Sequence, residues 1–317
     1  MHAFGAIARL AALETVRRPV CLLVTLATLA GTTLMPFFLH YTLGDAPRAV
    51  RDSALALLYT GGVLLAAWSA AEAVGGELRR GTAALALAKP VGRGAYLAGK
   101  ACGVALALAG HAAASVAATL LAVRAGAVEW HTDWTAAGPA LAVAPLALAW
   151  AAWRNRRHGR PFASAACGAL WIGYPLALAV AACRAEPAGG AGFPGNLDWA
   201  IVPAGALAAL PSLMAAAAAA ALAVRLNTVA TVSACAAVFS LGLVSGPLLG
   251  AHWDASFPAR AACALLPDGQ AFWLTDALDA GRGVPGGYLA GAVAYAALWA
   301  GACLALGVQA FRRSEIP

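Results

Sequence analysis

The segment Gly94-Ala-Tyr-Leu-Ala-Gly99-Lys100 spells most of a P-loop, the Gly-x-x-x-x-Gly-Lys motif that holds the phosphates of ATP. Three features argue against that chemistry. Ala101 follows the lysine, whereas a P-loop has a serine or threonine there to hold Mg²⁺. The segment continues into a long apolar run, whereas a P-loop joins a buried strand to a helix. No acidic Walker-B residue follows an apolar strand elsewhere in the chain. We therefore expect no ATP binding through this segment.

Two other residues could do chemistry because they lie in or beside apolar runs, where polar side chains are costly and often functional. His111 lies in the middle of such a run, but the histidines do not form the set of three or four converging ligands that a metal site needs. We expect His111 to pack against another helix, or to stay neutral near a polar lining. Glu72 follows the run 53–71. We favour an interfacial acid that reaches the headgroups or pairs with Arg79 or Arg80 over a proton or substrate role.

Composition indicates the surroundings of these residues. The chain is 62% hydrophobic and only 11% charged, whereas soluble domains carry about 25% charged residues. A spanning helix needs about 20 apolar residues, and the chain has eight charge-free runs of at least 19 residues. The runs are 19–44, 53–71, 101–123, 134–153, 161–183, 199–224, 226–253 and 283–311. We predict an all-α integral membrane protein with one transmembrane domain over 1–317 and about eight transmembrane helices. Because Pro139 and Pro145 interrupt the fourth run, a re-entrant turn is the alternative there.

Orientation follows from the positions of lysine and arginine. Eight spans place both termini on one side, together with the connections 72–100 and 154–160 and with Arg225. Fifteen of the 21 basic residues fall on that side and six on the other. The positive-inside rule therefore predicts cytoplasmic termini. The net charge of +7 is a topology signal, and it does not indicate nucleic-acid binding.

Two further segments and the cysteines also give expectations. Residues 2–18 are predicted as a cytoplasmic interfacial helix, and residues 251–286 as an outer-face segment. The predicted helix has an apolar face opposite Arg9 and Arg17, made of Phe4, Ile7, Ala8 and Ala11. Most of the seven cysteines lie inside spans as small hydrophobic residues. Cys183 and Cys263 lie near the predicted outer face and could pair, although the sequence does not fix their distance.

The stretch 77–95 is predicted as a short cytoplasmic segment between two spans. Gly81 breaks the second spanning helix after Glu77, and Thr82 is placed to cap a new helix. A short helical run follows over 83–89, and a turn at 90–93 leads to the next span. A short amphipathic helix in this place gives a soluble protein a contact through which it can push on the membrane domain.

The spacing Glu77-x3-Gly81-Thr82-x7-Pro90-x2-Arg93-x5-Gly99-Lys100 resembles the cytoplasmic coupling region of type-2 (ABC-2-like) ABC transporter permeases. The turn Arg225-Leu-Asn-Thr228 is similar to a later cytoplasmic turn of that family. The tail is similar to the outer segment and final span of a bacterial branch, through Pro267-Asp-Gly-Gln-Ala-Phe272-Trp273, Gly281-Arg-Gly-Val-Pro285, Tyr288 and Phe311-Arg-Arg-Ser-Glu315. The resemblance covers the first and last thirds and is poor over 124–198. Because the family core has six spans, 134–183 is predicted as an inserted hairpin.

The resemblance implies a permease subunit, most often an exporter, in the bacterial cytoplasmic (inner) membrane, with no catalytic residues and no cofactor of its own. ATP and Mg²⁺ would be used by two copies of a separate ABC ATPase subunit, and a second permease subunit would complete the pathway. The ATPase-docking element would comprise Glu77, Gly81, Thr82, Leu85, Leu87, Lys89, Pro90 and Arg93. Glu77 would order the loop through Arg79, Arg80 or Arg93. The transported substrate stays open. An ion-coupled secondary transporter and a non-transporting membrane scaffold remain as alternatives.

Overall fold

The computed structural model of the chain describes residues 2–39, 45–83, 92–127, 131–184, 194–249, 266–279, 281 and 283–313. Several predicted features lie outside these residues. They are Leu85, Leu87, Lys89 and Pro90 of the predicted docking element, Cys263, and positions 251–265 of the predicted outer-face segment.

The described part of the chain is helical. The helices are α1 (His2–Arg17), α2 (Pro19–Phe38), α3 (Ala46–Arg79), α4 (Arg93–Ala125), α5 (Trp134–His158), α6 (Phe162–Ala182), α7 (Ile201–Leu222), α8 (Thr228–Leu249), α9 (Thr275–Asp279) and α10 (Gly286–Arg312). A 3-10 turn at Gln270–Phe272 precedes α9. The predicted all-α class is confirmed.

Seven of these helices are long and apolar enough to cross a membrane, namely α2, α3, α4, α5, α6, α7 and α10. They correspond to seven of the eight predicted spans. The eighth predicted span corresponds to α8, whose apolar part over Thr228–Val244 is shorter. Pro139 and Pro145 lie inside a continuous helix of 25 residues, so the re-entrant alternative for this run is wrong.

The centre of the bundle is built by α3, α4 and α7, which have the largest buried shares of the candidate spans. Glycines let their backbones approach, as in many membrane helix pairs. A Cβ on Gly205 of α7 would lie 2.4 Å from Val116 of α4, and a Cβ on Gly62 of α3 would lie 3.2 Å from Ser212 of α7. Substitutions at Gly205 would therefore push α7 away from α4.

Helices α5 and α6 form a pair joined by a short turn, over the stretch predicted as an inserted hairpin. Gly159 ends α5 in the left-handed conformation, with φ of 59°. Within the pair, Gly173 of α6 lies against Val143 of α5. The hydroxyls of Tyr174 on α6 and Thr33 on α2 share a hydrogen bond of 2.9 Å, which connects the pair to the rest of the bundle. That the pair is an insertion relative to the family stays a prediction.

Helix α1 packs on the beginning of α4. Ala8 and Ala11 of the predicted apolar face are buried, and a Cβ on Gly103 would lie 2.3 Å from the Ala8 carbonyl oxygen. Gly99 lies against Ile7 in the same way. Phe4, which belongs to the same predicted face, is exposed. The face therefore contacts α4 directly, and only its first turn is left to contact other surroundings.

Candidate functional site

The candidate site is the end of the bundle that holds the described flanks of the predicted coupling segment, residues 77–83 and 92–95. We call it the Lys100 end. At this end α1 ends, α3 ends, α4 begins and α10 ends. The terminal helices α1 and α10 thus lie at the same end. The opposite end, where α3 begins, is called the Arg51 end.

Helix α3 ends in the way that the sequence predicts. Gly81 takes a positive φ of 71°, a conformation that glycine adopts without strain and that ends helices. The Thr82 hydroxyl donates a hydrogen bond of 3.3 Å back to the carbonyl oxygen of Glu77 in the last turn of α3. Residues 84 and 85, whose amides Thr82 was expected to cap, lie outside the described residues.

The Glu77 carboxylate binds α4. Its Oε1 accepts from the Lys100 ammonium at 2.5 Å, and its Oε2 accepts from the Tyr96 hydroxyl at 2.5 Å. The predicted role of Glu77, ordering the loop through Arg79, Arg80 or Arg93, is therefore wrong in its partners. The reason is geometric: positions 96 and 100 lie one turn apart on α4, so both side chains reach the same carboxylate.

Lys100 is the centre of this arrangement. Its side chain is only 2% exposed, and its ammonium also donates to Glu14 of α1 at 3.2 Å. Glu77 is 14% exposed. The Lys100 network, made of Glu14, Glu77, Tyr96 and Lys100, thus ties α1, α3 and α4 together. A buried ammonium left without its carboxylate costs about 3–5 kcal/mol, so these helices are held in one arrangement at this point.

Glu72 forms a second cluster one and a half turns away on α3. Its Oε2 accepts from Arg18 at 3.0 Å, and its Oε1 accepts from Arg79 at 3.1 Å and from the Thr228 hydroxyl at 2.5 Å. Arg79 also donates to the Thr228 hydroxyl at 2.7 Å. The predicted Glu72–Arg79 pair is confirmed. Both carboxylate oxygens of Glu72 thus already accept hydrogen bonds. This geometry does not favour a role for Glu72 in proton transfer or ion coupling.

Arg93 joins the beginning of α4 to the end of α10. Its guanidinium donates to the carbonyl oxygens of Phe311 at 2.7 Å and Arg312 at 3.1 Å, and it lies 5.4 Å from the centre of the Phe311 ring. The last carbonyls of a helix have no partner within the helix, so a cation at this place is stabilising. The Phe311 ring also packs on Tyr96, with ring centres 6.0 Å apart.

A known protein family matches part of the chain. Residues 14–152 match the model of a family described as ABC-2 family transporter protein. Over this segment the chain is similar to the ABC-2 transporter family. No curated protein matches the chain. The family match and the apolar helices support a multi-pass membrane protein of the transport-permease class.

The matched segment includes every member of the Lys100 network, from Glu14 onward. It also includes 124–152, where the residue-by-residue resemblance was poor, and therefore most of α5. The similarity of the tail to the family lies outside the match and stays a prediction.

The segment that resembles a P-loop forms the first two turns of α4. Gly99 and Gly103 make room for α1, and Lys100 binds two carboxylates of the chain itself. The Gly-x-x-x-Gly spacing is common enough in this sequence to be expected by chance. At this place the two glycines let α1 pack closely on α4 within one chain.

His111 lies at the centre of α4 and is 1% exposed. Neither ring nitrogen has a hydrogen-bond partner among the described residues, and its backbone carbonyl accepts from the Ser115 hydroxyl. No group of three or more histidine, cysteine, aspartate or glutamate side chains that could hold a metal occurs in the described part of the chain. The ring is thus packed among helices, which is the first of the two expectations for His111.

The Arg51 end carries two clusters that the sequence analysis did not find. Arg51 donates to Asp279 of α9 and to Asp52. Arg124 is buried, and its donors reach Asp133 at 2.9 Å and the carbonyl oxygens at the end of α6. The hydrogen bond from Arg51 holds the pKa of the partly exposed Asp279 carboxyl below its usual value. These contacts close the outer segment and the α5–α6 pair onto the bundle.

Five residues of the site were not among the predicted site residues, namely Glu14, Arg18, Tyr96, Lys100 and Thr228. A usable signal existed for Glu14, because it is the one acid of the predicted interfacial helix and lies one turn from Arg17 and Arg18. Tyr96 and Thr228 carried no such signal, since hydroxyl groups are common at helix ends.

Proposed function

We propose that this chain is the permease subunit of an ATP-driven exporter of the ABC-2 type, whose ATP hydrolysis takes place in separate ATPase subunits. Its termini and the Lys100 end would face the cytoplasm of a bacterial cell, with the chain in the inner membrane. Two ATPase copies and a second permease subunit, identical or different, would complete the transporter. The family match and the charge bias support this assignment.

The observation that carries the proposal is the anchoring of both flanks of 84–91. On one side, Glu77 fixes the end of α3 to Tyr96 and Lys100. On the other side, Arg93 fixes the beginning of α4 to the last carbonyls of α10. An ATPase that moves 84–91 would therefore act on α1, α3, α4 and α10 together, because both flanks of this segment are fixed to these helices.

The energies required are within reach of a small contact. Shifting a two-state protein from 1:99 to 99:1 takes about 5.5 kcal/mol of differential binding. Burying one leucine contributes about 1.5–3 kcal/mol. Leu85 and Leu87, which lie outside the described residues, would together supply much of that energy if both dock on the ATPase.

The experiment is a purification of the tagged full chain from its own membranes, with peptide mass spectrometry of the proteins that co-purify and an assay of vanadate-sensitive ATP turnover. We expect an ATP-binding-cassette ATPase with the wild-type chain. Leu87→Asp should place an unpaired charge in the contact and remove either the ATPase or its substrate-stimulated turnover, at unchanged expression. Leu39→Asp, at the Arg51 end, is the matched control and should keep both.

Two results would count against the proposal. A wild-type chain that brings down no ATPase under conditions that keep membrane complexes intact would contradict the transporter assignment. A Leu87→Asp chain with normal assembly and normal turnover would leave the transporter assignment in place and move the coupling contact to 154–160 or to Arg225.

A further inference from the structure

A long apolar cleft opens on the side of the bundle between α7, α8 and α10. Its volume is about 470 Å³, and Leu222, Phe239, Trp299, Cys303 and Leu306 contribute to its lining. The Phe239 and Trp299 rings close its deep end, in an edge-to-face contact with centres 5.9 Å apart. Gly307 rests on Ala221 and brings α10 close to α7, which forms the floor. We call this feature the α8–α10 cleft.

The length of the cleft matches one leaflet of a bilayer. It runs along α10 from Trp299 to Ala310, a separation that corresponds to about 16 Å of helix. The hydrocarbon core of a bilayer is about 30 Å thick, so one leaflet accounts for about 15 Å. Since α7 and α10 are candidate spans, we expect the open side of the cleft to face lipid. The medium beside it is therefore acyl chains.

The mouth of the cleft is cationic. Arg225 is the only charged residue of its described lining, and it is exposed. Its guanidinium has five N–H donors, of which one binds the Ala310 carbonyl oxygen, at 3.3 Å. Helix α8 begins just beyond it, at Thr228, and the beginning of a helix favours negative charge.

Acids do not neutralise this mouth in the described part of the chain. Glu14, Glu72 and Glu77, the acids that the structure describes at the Lys100 end, are already bound to Lys100, Arg18 and Arg79. The cleft thus combines an apolar slot one leaflet long with an arginine at headgroup level, which is complementary to one acyl chain and its phosphate.

We propose that the α8–α10 cleft binds an anionic phospholipid from the surrounding leaflet, with an acyl chain in the slot and the headgroup phosphate on Arg225. The site does not depend on the transport function proposed above. The bound lipid would brace the turn between α7 and α8, and through Thr228 it would stabilise the cluster around Glu72.

The test uses the purified full chain in detergent, stripped of lipid and titrated with phosphatidylglycerol or phosphatidylcholine of identical acyl chains. Native mass spectrometry then counts the lipids that stay bound. One phosphatidylglycerol should bind more tightly than phosphatidylcholine. Arg225→Gln should weaken the phosphatidylglycerol by about fivefold, the equivalent of about 1 kcal/mol for one basic residue at a membrane surface, and leave phosphatidylcholine unchanged.

Matched variants separate a specific site from general effects. Arg225→Lys should keep the preference, and Arg160→Gln, an exposed arginine between α5 and α6, should not alter it. Leu306→Trp should fill the cleft and weaken both lipids. Leu306 is 64% exposed, so the larger ring disturbs no core packing. Leu298→Trp, on the same helix and 76% exposed, lies outside the cleft lining and should have no effect.

Three results would overturn the proposal. The first is equal phosphatidylglycerol affinity in the wild type and Arg225→Gln. The second is a Leu306→Trp chain that binds both lipids as Leu298→Trp does. The third is a dimer that Leu306→Trp dissociates without any change in lipid binding, which would assign the cleft to a second copy of the chain.

Discussion

Lys100 of α4 and Glu77 of α3 form an ion pair of 2.5 Å inside the protein, with 2% and 14% of their side chains exposed. Glu77 lies in the last turn of α3, just before the chain leaves that helix. Because a buried charge is stable only with its partner, this contact makes the end of α3 and the beginning of α4 move as one unit.

Lys100→Met is expected to lower the free energy of unfolding by about 3–5 kcal/mol, since it leaves the Glu77 carboxylate buried and unpaired. The double variant Lys100→Met with Glu77→Met should recover most of that loss, because an apolar pair of similar volume replaces the ion pair. Thermal unfolding of the purified chain measures the cycle. If the destabilisations of the single variants Lys100→Met and Glu77→Met add up in the double variant, the pair is not energetically coupled. Arg160→Met, at an exposed position, serves as control.

Lys100→Ala is also expected to leave nucleotide binding of the isolated chain unchanged, at background. The ammonium already binds Glu14 and Glu77, and Ala101 has no hydroxyl for Mg²⁺. Photolabelling of the purified chain with an azido-ATP measures this. Specific labelling of the wild type that Lys100→Ala removes would show that the segment acts as a P-loop.

The charge bias predicts which positions reagents can reach from outside the cell. In a cysteine-free background, Trp130→Cys or Gly190→Cys should react with a membrane-impermeant maleimide in intact cells. Arg157→Cys, in the basic turn between α5 and α6, should react only after the membrane is opened. Labelling of Arg157→Cys in intact cells would contradict the topology and favour a core of six spans.

Acid should destabilise the Arg51 end through Asp133. Burial alone would raise the pKa of this carboxyl, but hydrogen bonds from Thr135 and Arg124 outweigh it and hold the pKa below its ordinary value. A lowered pKa in the folded state means that the contribution of Asp133 to stability is complete above its unfolded value, about 3.9. That contribution is lost as the pH falls through the folded value.

Unfolding temperatures between pH 6 and pH 3 check this expectation. Asp133→Asn should be less stable than the wild type at pH 6, and the difference should shrink toward pH 3. Asp198→Asn is the control, because that carboxylate accepts from the backbone amide of Ala200 and has no arginine partner among the described residues. A constant difference between wild type and Asp133→Asn over the whole range would contradict the prediction.

The sequence predicted the helices well, because a span is a local property: about 20 residues without charge specify it wherever they pack. Even the interruption by Pro139 and Pro145 did not break α5, since neighbouring helices can satisfy the freed backbone groups. The end of α3 at Gly81 was equally local.

The partners of the charged residues could not be predicted in the same way. Glu77 and Lys100 are 23 positions apart, and Glu72 and Thr228 are 156 apart. Which of several nearby arginines an acid meets depends on helix rotation, and in this bundle the rotation is fixed by close contacts such as that of Gly103 with Ala8. Glu72 was paired correctly with Arg79, which lies two turns away on the same helix, whereas the partners of Glu77 lie on another helix, α4.

The packing of α1 on Gly99 and Gly103 of α4 sets an order of events during synthesis. Residues 2–17 leave the ribosome before Gly99 and Gly103, on which they pack and which are made some 90 residues later. At 5–20 residues per second, α1 waits about 5–20 s before its place exists. A nascent chain arrested before Gly99 should therefore lose its first helix to an added protease, and one arrested after α4 has inserted should keep it.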